Sequence, residues 1–279
     1  MKKEIRTIHE ASNTVQVTIA DERWYGRTVL NASTGLPEVA WVPSVTWIAG
    51  YYPKGIGFYK WLADKGWDEA EAIKSAAGDK GSRVHRAIVD LLDGETVAME
   101  AKYAAGDEPP QELSLEEYDC LRSFRDFWVE CEPETIVKER VVFNDAKGYA
   151  GTLDWFGWFH KPPKGLSKGP WLIDWKTSQY VWPEHRLQVS AYAESDDMQE
   201  CFAAITQRPE WAGIDIHLGI LQLGYRKNKA GWKLTEVENQ FPLFEAARQM
   251  WANECADIAP FRRDYPLSLR LPSPERRNG

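Results

Sequence analysis

The sequence predicts a mixed α/β fold in which helices flank one central mixed sheet. Three observations lead there. Between Gly55 and Leu92, and again after Ser114, apolar residues recur at helical spacing. Beyond Pro133 the apolar period drops to two, the spacing of a strand. From Pro183 onward helical and strand patterns alternate. The chain has 279 residues, 43% hydrophobic and 27% charged, so it can bury a substantial core and is neither fibrous nor disordered as a whole.

The elements follow in order. Val15, Val17 and Ile19 alternate with polar residues, and Thr28 to Leu30 reads as a partner strand, a small β region closed by Thr34-Gly35 and Pro43. Val84, Ile88, Leu91 and Leu92 mark one face of a helix that Gly94 ends. Ala104 to Pro110 is a loop. Ser114 then opens a helix as N-cap, with Glu117 completing a capping box and Tyr118, Leu121, Phe124, Phe127 and Trp128 as its apolar face. Ile136 to Phe143 and Tyr149 to Phe159 read as strands joined by the turn Ala146-Lys147-Gly148. His160 to Pro170 is a loop, and Trp171 to Trp175 a short buried strand. A long helix starts at Pro183. Strands at Ile214 to Leu223 and Trp232 to Val237 flank a turn at Lys227 to Gly231, and a last helix runs from Pro242 to about Ile258. The organisation is one domain over 1–279: a β region (1–54), a helical region (55–132), a core (133–259) and a basic tail (260–279).

Composition excludes several functions. No stretch is long and apolar enough to span a membrane, and the basic start is not followed by an apolar run, so neither a membrane partner nor a secretory signal is expected. Cys120, Cys131, Cys201 and Cys255 are scattered without a Cys-x-x-Cys pair, which fits a reducing cytoplasm. A formal net charge of -8 argues against coating nucleic acid by bulk charge. It leaves room for carboxylates gathered around a metal and a local basic strip. The Trp excess, 14 residues, reads as core and sheet cover. For Trp47, Trp61 and Trp67 core packing is the expectation and base stacking the alternative.

The chemistry concentrates between residues 139 and 192. Glu139 sits on the first core strand, Gly151-Thr152-Leu153-Asp154 places an acid on the second, and Asp174-Trp175-Lys176 closes the third. Residues i and i+2 of a strand share a face, so Asp174 and Lys176 project together. Acids from neighbouring strands beside a lysine suit metal-assisted phosphodiester hydrolysis, with carboxylates on a hard cation and the lysine near the developing charge. Taken singly, each part has a plainer reading. Asp-x-Lys is expected about once by chance in such a chain, Asp154 could be a turn residue, and Glu139 between Lys138 and Arg140 could be surface. The order is what discriminates. Gln188 and Tyr192 share a helix face. His85 lies on a helix with Lys80, Arg83 and Arg86, cations that could face a phosphate backbone, although a lone helical His is more often structural. His185 stands one turn before Gln188, and nothing brings His9, His160 or His217 to the chemistry.

Gly81-x-x-x-His85, Gly151-x-x-Asp154, Asp174-x-Lys176 and Gln188-x-x-x-Tyr192, in that order, resemble the RecB-type branch of the PD-(D/E)XK nuclease superfamily. Pro43-Ser44-Val45-Thr46 adds a likeness to the mitochondrial genome maintenance exonuclease group and phage relatives. The resemblance spans roughly residues 40–240. It implies a restriction-endonuclease-like core with an N-terminal β/helical extension, and a metal-dependent DNA exonuclease using Mg²⁺ or Mn²⁺. It implies metal ligands His85, Asp154 and Asp174, and Lys176 as catalytic lysine. Glu139 would be a supporting acid, and Gln188 and Tyr192 would orient the lysine or contact DNA. DNA contacts are expected from Lys80, Arg83, Arg86 and Tyr192, with Arg262, Arg263 and Arg270 of the tail as further cations. The setting it implies is the cytoplasm of a bacterial or phage-infected cell.

Two departures from the family pattern matter. The cysteines lack the spacing that holds an iron-sulfur cluster in some relatives, so none is expected. No Walker sequence occurs, so a helicase, recombination or replication partner would be a separate chain. The alternatives are a structure-specific endonuclease on the same fold, an RNA-directed enzyme, and a non-catalytic DNA-binding or assembly module. Intact Asp154, Asp174 and Lys176 argue against the last.

Overall fold

The computed structural model describes residues 4–9, 14–19, 22–106, 108–207, 211 and 213–256. Strands β1 (Glu4–His9), β2 (Thr14–Ile19), β3 (Glu22–Leu30) and β4 (Pro37–Pro43) form an antiparallel sheet in sequence order. This is twice the number of strands that the sequence pattern suggests here. The addition of β4 has a physical basis: it begins and ends on proline, and as an edge strand it tolerates the missing donors.

Ser44 joins this sheet to the rest. Its N–H donates to Arg23 O (2.8 Å), and its hydroxyl accepts from Trp47 N (3.0 Å) to cap helix α1 (Val45–Ala49). It also bridges in parallel to Ala150. Helices α2 (Ile56–Lys65), α3 (Trp67–Leu92) and α4 (Leu115–Cys131) follow, with a two-stranded ribbon of β5 (Lys102–Tyr103) and β6 (Gln111–Glu112) between α3 and α4. The capping box of α4 is present as expected: Glu117 N donates to Ser114 Oγ (3.3 Å), and Ser114 N to Glu117 Oε2 (2.7 Å).

The central sheet has the order β11-β10-β9-β8-β7, built from β7 (Pro133–Asn144), β8 (Tyr149–Phe159), β9 (Gly169–Lys176), β10 (His217–Leu223) and β11 (Trp232–Val237). Only β9 and β10 pair in parallel, so the sheet is mixed. The segment between them is two helices, α5 (Pro183–Ala193) and α6 (Asp196–Thr206), where one long helix was expected. Ser195 divides them. Its hydroxyl accepts from Met198 N (3.4 Å), and Asp196 and Asp197 occupy the first turn of α6, where the helix dipole favours acids. The last helix, α7, is Phe241–Cys255. Ile258 and the arginine tail lie outside the described residues.

Helices cover both faces of the sheet. One core gathers Ile48 of α1, Leu187 of α5 and Phe244 of α7 against Leu172 and Ile220. The other gathers Val84 and Ile88 of α3 and Phe124 and Phe127 of α4 against Trp155, Trp171 and Trp175. Cys120 and Cys131 belong to the second core, while Cys201 and Cys255 pack with the first. Trp47 lies between Trp24 and Trp251, with ring centres 5.1 and 5.3 Å away. Trp67, by contrast, is 67% exposed, and core packing does not describe it. No described helix is long and apolar enough to cross a membrane.

Candidate metal centre

The site forms where two neighbouring strands stop pairing. Strands β8 and β9 pair from Phe159↔Gly169 to Trp155↔Ile173, and the next residues along each are Asp154 and Asp174. There a side chain takes over from the backbone: Trp175 N–H donates to Asp154 Oδ2 at 2.7 Å. Side-chain alternation along β8 slips by one at the same point. Leu153, Phe156 and Trp158 all face the first core, whereas Trp155 and Phe159 face the second. Across on β7, the pairs Lys138↔Trp155 and Arg140↔Leu153 bracket Glu139 opposite Asp154. Glu139 has φ 43°, a left-handed conformation that costs a non-glycine residue about 1–2 kcal/mol. Two acids on adjacent strands thus sit at a local irregularity of the sheet.

Helix α3 supplies the imidazole from the opposite layer. His85 Nε2 lies 3.2 Å from Trp175 O, and a carbonyl only accepts, so Nε2 carries the proton. The other nitrogen, Nδ1, is therefore the one presented to Asp154 Oδ1, 3.3 Å away. The glycine one turn earlier, Gly81, passes close to Thr177: a Cβ there would lie 4.0 Å from its hydroxyl oxygen. One ligand atom each from His85, Glu139 and Asp154 falls within 4.8 Å of the others. One imidazole nitrogen and two carboxylate oxygens suit Mn²⁺ or Mg²⁺, and a carbonyl holding the far side of the ring is the usual support of a ligating histidine. The compact set contains Glu139, whereas the ligand set implied by the resemblance contains Asp174.

Asp174 stands beside this set, 1% exposed. Lys176 Nζ is 2.5 Å from its Oδ2, as the shared strand face requires. Its Oδ1 is buried with no hydrogen-bond partner among the described residues. A buried carboxylate oxygen left in this state is well suited to meet a cation or water.

The charges interlock. Burial pushes the Asp154 carboxyl up, but His85, Lys176 and the Trp175 N–H outweigh it and hold Asp154 below the ordinary carboxylate range. Burial likewise pushes His85 down, and Asp154 more than reverses this, so the imidazole is raised. Asp174 is raised by burial, with the charge of Asp154 adding to the effect and Lys176 opposing it. Asp154 and His85 each favour the charged form of the other, and Asp174 holds its proton more tightly than an exposed acid.

No family model matches this chain, and no curated protein matches it. The site's other residues follow from its own geometry. Gln188 Nε2 donates to Tyr192 Oη at 2.7 Å, the contact expected of two residues four apart on α5. Tyr192 is buried, and burial first, then the charges of Asp174, Tyr25 and Asp154, raise its phenol far above the ordinary value. It remains a neutral donor.

The expected basic strip looks different. Arg83 Nε donates to Glu117 Oε1 at 2.7 Å, with side chains 14% and 2% exposed, so this cation is committed to holding α3 against α4. Lys80 pairs with Glu116 at 3.0 Å, and Arg86 is not free either. His185 comes near the site: burial, then Lys176 and Lys54, lower its imidazole to about 3. Its place one turn before Gln188 was the only sequence signal for this. His160 pairs with Glu134 (3.2 Å) and His217 with Glu236 (2.7 Å), away from the centre. Tyr25 had no signal at all. Its hydroxyl meets Thr152 Oγ1 at 3.1 Å, and it props β8 from the N-terminal sheet.

Proposed function

We propose that the chain is a divalent-metal-dependent deoxyribonuclease with a RecB-type PD-(D/E)XK core, acting as an exonuclease on linear or single-stranded DNA ends. One observation carries the reading: His85, Glu139 and Asp154 converge within 4.8 Å, beside an Asp174–Lys176 pair at the open end of the β8–β9 pairing. The motif order supports it, since His85, Asp154, Asp174 and Lys176 lie in or beside this cluster, and Gln188 donates to Tyr192, whose phenol is raised by burial and by the charges of Asp174 and Asp154.

His85, Glu139 and Asp154 would hold Mg²⁺ or Mn²⁺, with Asp174 adjacent. When bound, such an ion supplies Lewis acidity to the scissile phosphate and makes water more acidic. The protein's own groups do the rest. The Lys176 side chain, 18% exposed, lies beside Asp174, where its amine can offset the negative charge that builds on the phosphate during attack. Gln188 donates to Tyr192 Oη, which leaves the phenolic proton free to turn toward the site. Trp175 ties His85 and Asp154 together through its carbonyl and its N–H, so the ligands are oriented before any ion arrives. A helicase, recombination or replication protein as partner remains part of the proposal.

The test is end-labelled single-stranded, duplex and circular DNA with Mg²⁺ or Mn²⁺. Shortening of linear DNA with circles untouched is the expected result. A cut circle would turn the reading to an endonuclease, and intact DNA throughout would overturn it.

A further inference from the structure

The segment joining β9 to α5 begins directly after Lys176 and holds two large rings in solvent: Tyr180 is 56% exposed and Trp182 is 52% exposed. Their centres are 5.6 Å apart. Exposed aromatics usually sit on mobile loops, but this one is stapled along its length. Ser178 Oγ donates to Tyr180 O (2.7 Å), and Gln222 Nε2 donates to Ser178 O (3.0 Å). Gln179 donates to Gly224 O (2.8 Å) and accepts from Arg226 N (2.9 Å). Trp182 N–H donates to His185 Nδ1 (3.4 Å), and the half-buried imidazole, held low by desolvation and Lys176, is able to accept. The loop is a rigid mount for two rings that contribute little to either core.

Several cations stand beside this segment in an otherwise acidic chain. Lys227 Nζ stands 4.7 Å from the Tyr180 ring centre. Arg226 and Lys80 share the single carboxylate of Glu116, at 2.8 and 3.0 Å, which leaves that trio with a net positive charge. On the other side, Lys54 pairs with Glu184 and lies 6.0 Å from the ring centre of Phe58, which is itself 41% exposed.

We propose that Tyr180 and Trp182 form a stacking platform for the bases of single-stranded DNA, and that Lys227 and the Arg226–Lys80 pair meet its phosphates. Rings that offer a face, flanked by cations, are how single strands are held without sequence preference. A duplex keeps its bases stacked on one another and has none to give. Four residues of chain reach at most about 14 Å, so the platform lies within a few nucleotides of Lys176. The inference rests on the nuclease reading for the identity of its ligand.

The experiment compares two oligonucleotides of equal length, oligo-dT and an abasic strand with the same phosphates, bound to the full chain in Ca²⁺ and followed by fluorescence anisotropy. Wild type should bind oligo-dT about tenfold or more tightly than the abasic strand. The double variant Tyr180→Ala/Trp182→Ala should lose that difference while its affinity for the abasic strand is unchanged. Tyr180→Phe/Trp182→Phe should keep most of it. Both positions are exposed, so thermal unfolding of the variants should match wild type. Equal binding of the two strands by wild type, no binding of either, or an alanine variant that binds oligo-dT as wild type does would each overturn the platform. Cleavage in Mg²⁺ is scored separately. Base-dependent binding without cleavage would overturn the nuclease reading and leave the platform standing, whereas cleavage with base-independent binding would do the reverse.

Discussion

Tyr192 occupies the space that a side chain on Gly151 would need: a Cβ at residue 151 would lie 2.5 Å from Tyr192 Cε1 and 3.3 Å from Val45 Cγ2. The glycine of Gly151-x-x-Asp154 is therefore a packing requirement, which lets α5 close on β8 next to the acid. Gly151→Ala should destabilise the protein by about 1–3 kcal/mol through overpacking, and it should move the Tyr192 hydroxyl. Urea unfolding measures the first effect. A change of under about 0.5 kcal/mol, the size of an ordinary surface substitution, would show that Tyr192 yields freely.

The two descriptions of the ligand set differ at one residue, and metal titration separates them. Calorimetry with Mn²⁺ should show that His85→Ala, Asp154→Asn and Glu139→Gln each weaken binding about tenfold or more, since each removes a ligand atom or its charge. Asp174→Asn should weaken it less if the compact trio is the primary set. Full affinity in Glu139→Gln with a large loss in Asp174→Asn would favour the set implied by the motif order.

Lys176 separates an enzyme from a binding module. If the chain is a nuclease, the Lys176 side chain acts mainly in the transition state, so Lys176→Ala should slow single-turnover cleavage on the order of 10²-fold, roughly 3 kcal/mol of barrier. DNA affinity in Ca²⁺ should change far less. Equal cleavage by variant and wild type would show that the centre lies elsewhere. A loss confined to affinity would identify a binding module.

Glu117 predicts a pH dependence of stability. Burial raises its carboxyl, but the Ser114 N–H and Arg83 outweigh this and lower it in the folded state. A carboxyl lowered on folding stabilises above its unfolded value, about 4.3, and that contribution disappears as pH falls through the folded value. The stability gap between wild type and Glu117→Gln should thus be full near neutrality and shrink below about pH 4.3. Denaturant unfolding from pH 3 to 7 measures it, and a gap that is constant with pH would refute it. Arg83→Ala should cost up to about 3–5 kcal/mol, the range for an ion pair broken in the interior.

What could be read from the sequence was local. The capping box of Ser114 and Glu117 spans three residues, and the period-two run Tyr149 to Phe159 coincides with β8, because each is set by near neighbours. The shared face of Asp174 and Lys176, and that of Gln188 and Tyr192, follow from strand and helix periods alone. What escaped depends on distant partners. Arg83 looked like a phosphate contact because its partner Glu117 lies 34 residues away. The left-handed Glu139 and the slip at Asp154 have no local signature. The break between α5 and α6 did have one, Ser195-Asp196-Asp197, hidden within a continuous helical pattern.

The Trp175 amide has an unusual acceptor. Its proton goes to the Asp154 carboxylate, where the adjoining residues of β8 and β9 bond strand to strand. Its nuclear magnetic resonance position therefore depends on the electron density of one carboxylate, and loading the site with a diamagnetic cation would shift that single signal while leaving the amides of the paired strand below it nearly still. A backbone probe of occupancy would thus be part of the chain itself, readable without substrate or turnover.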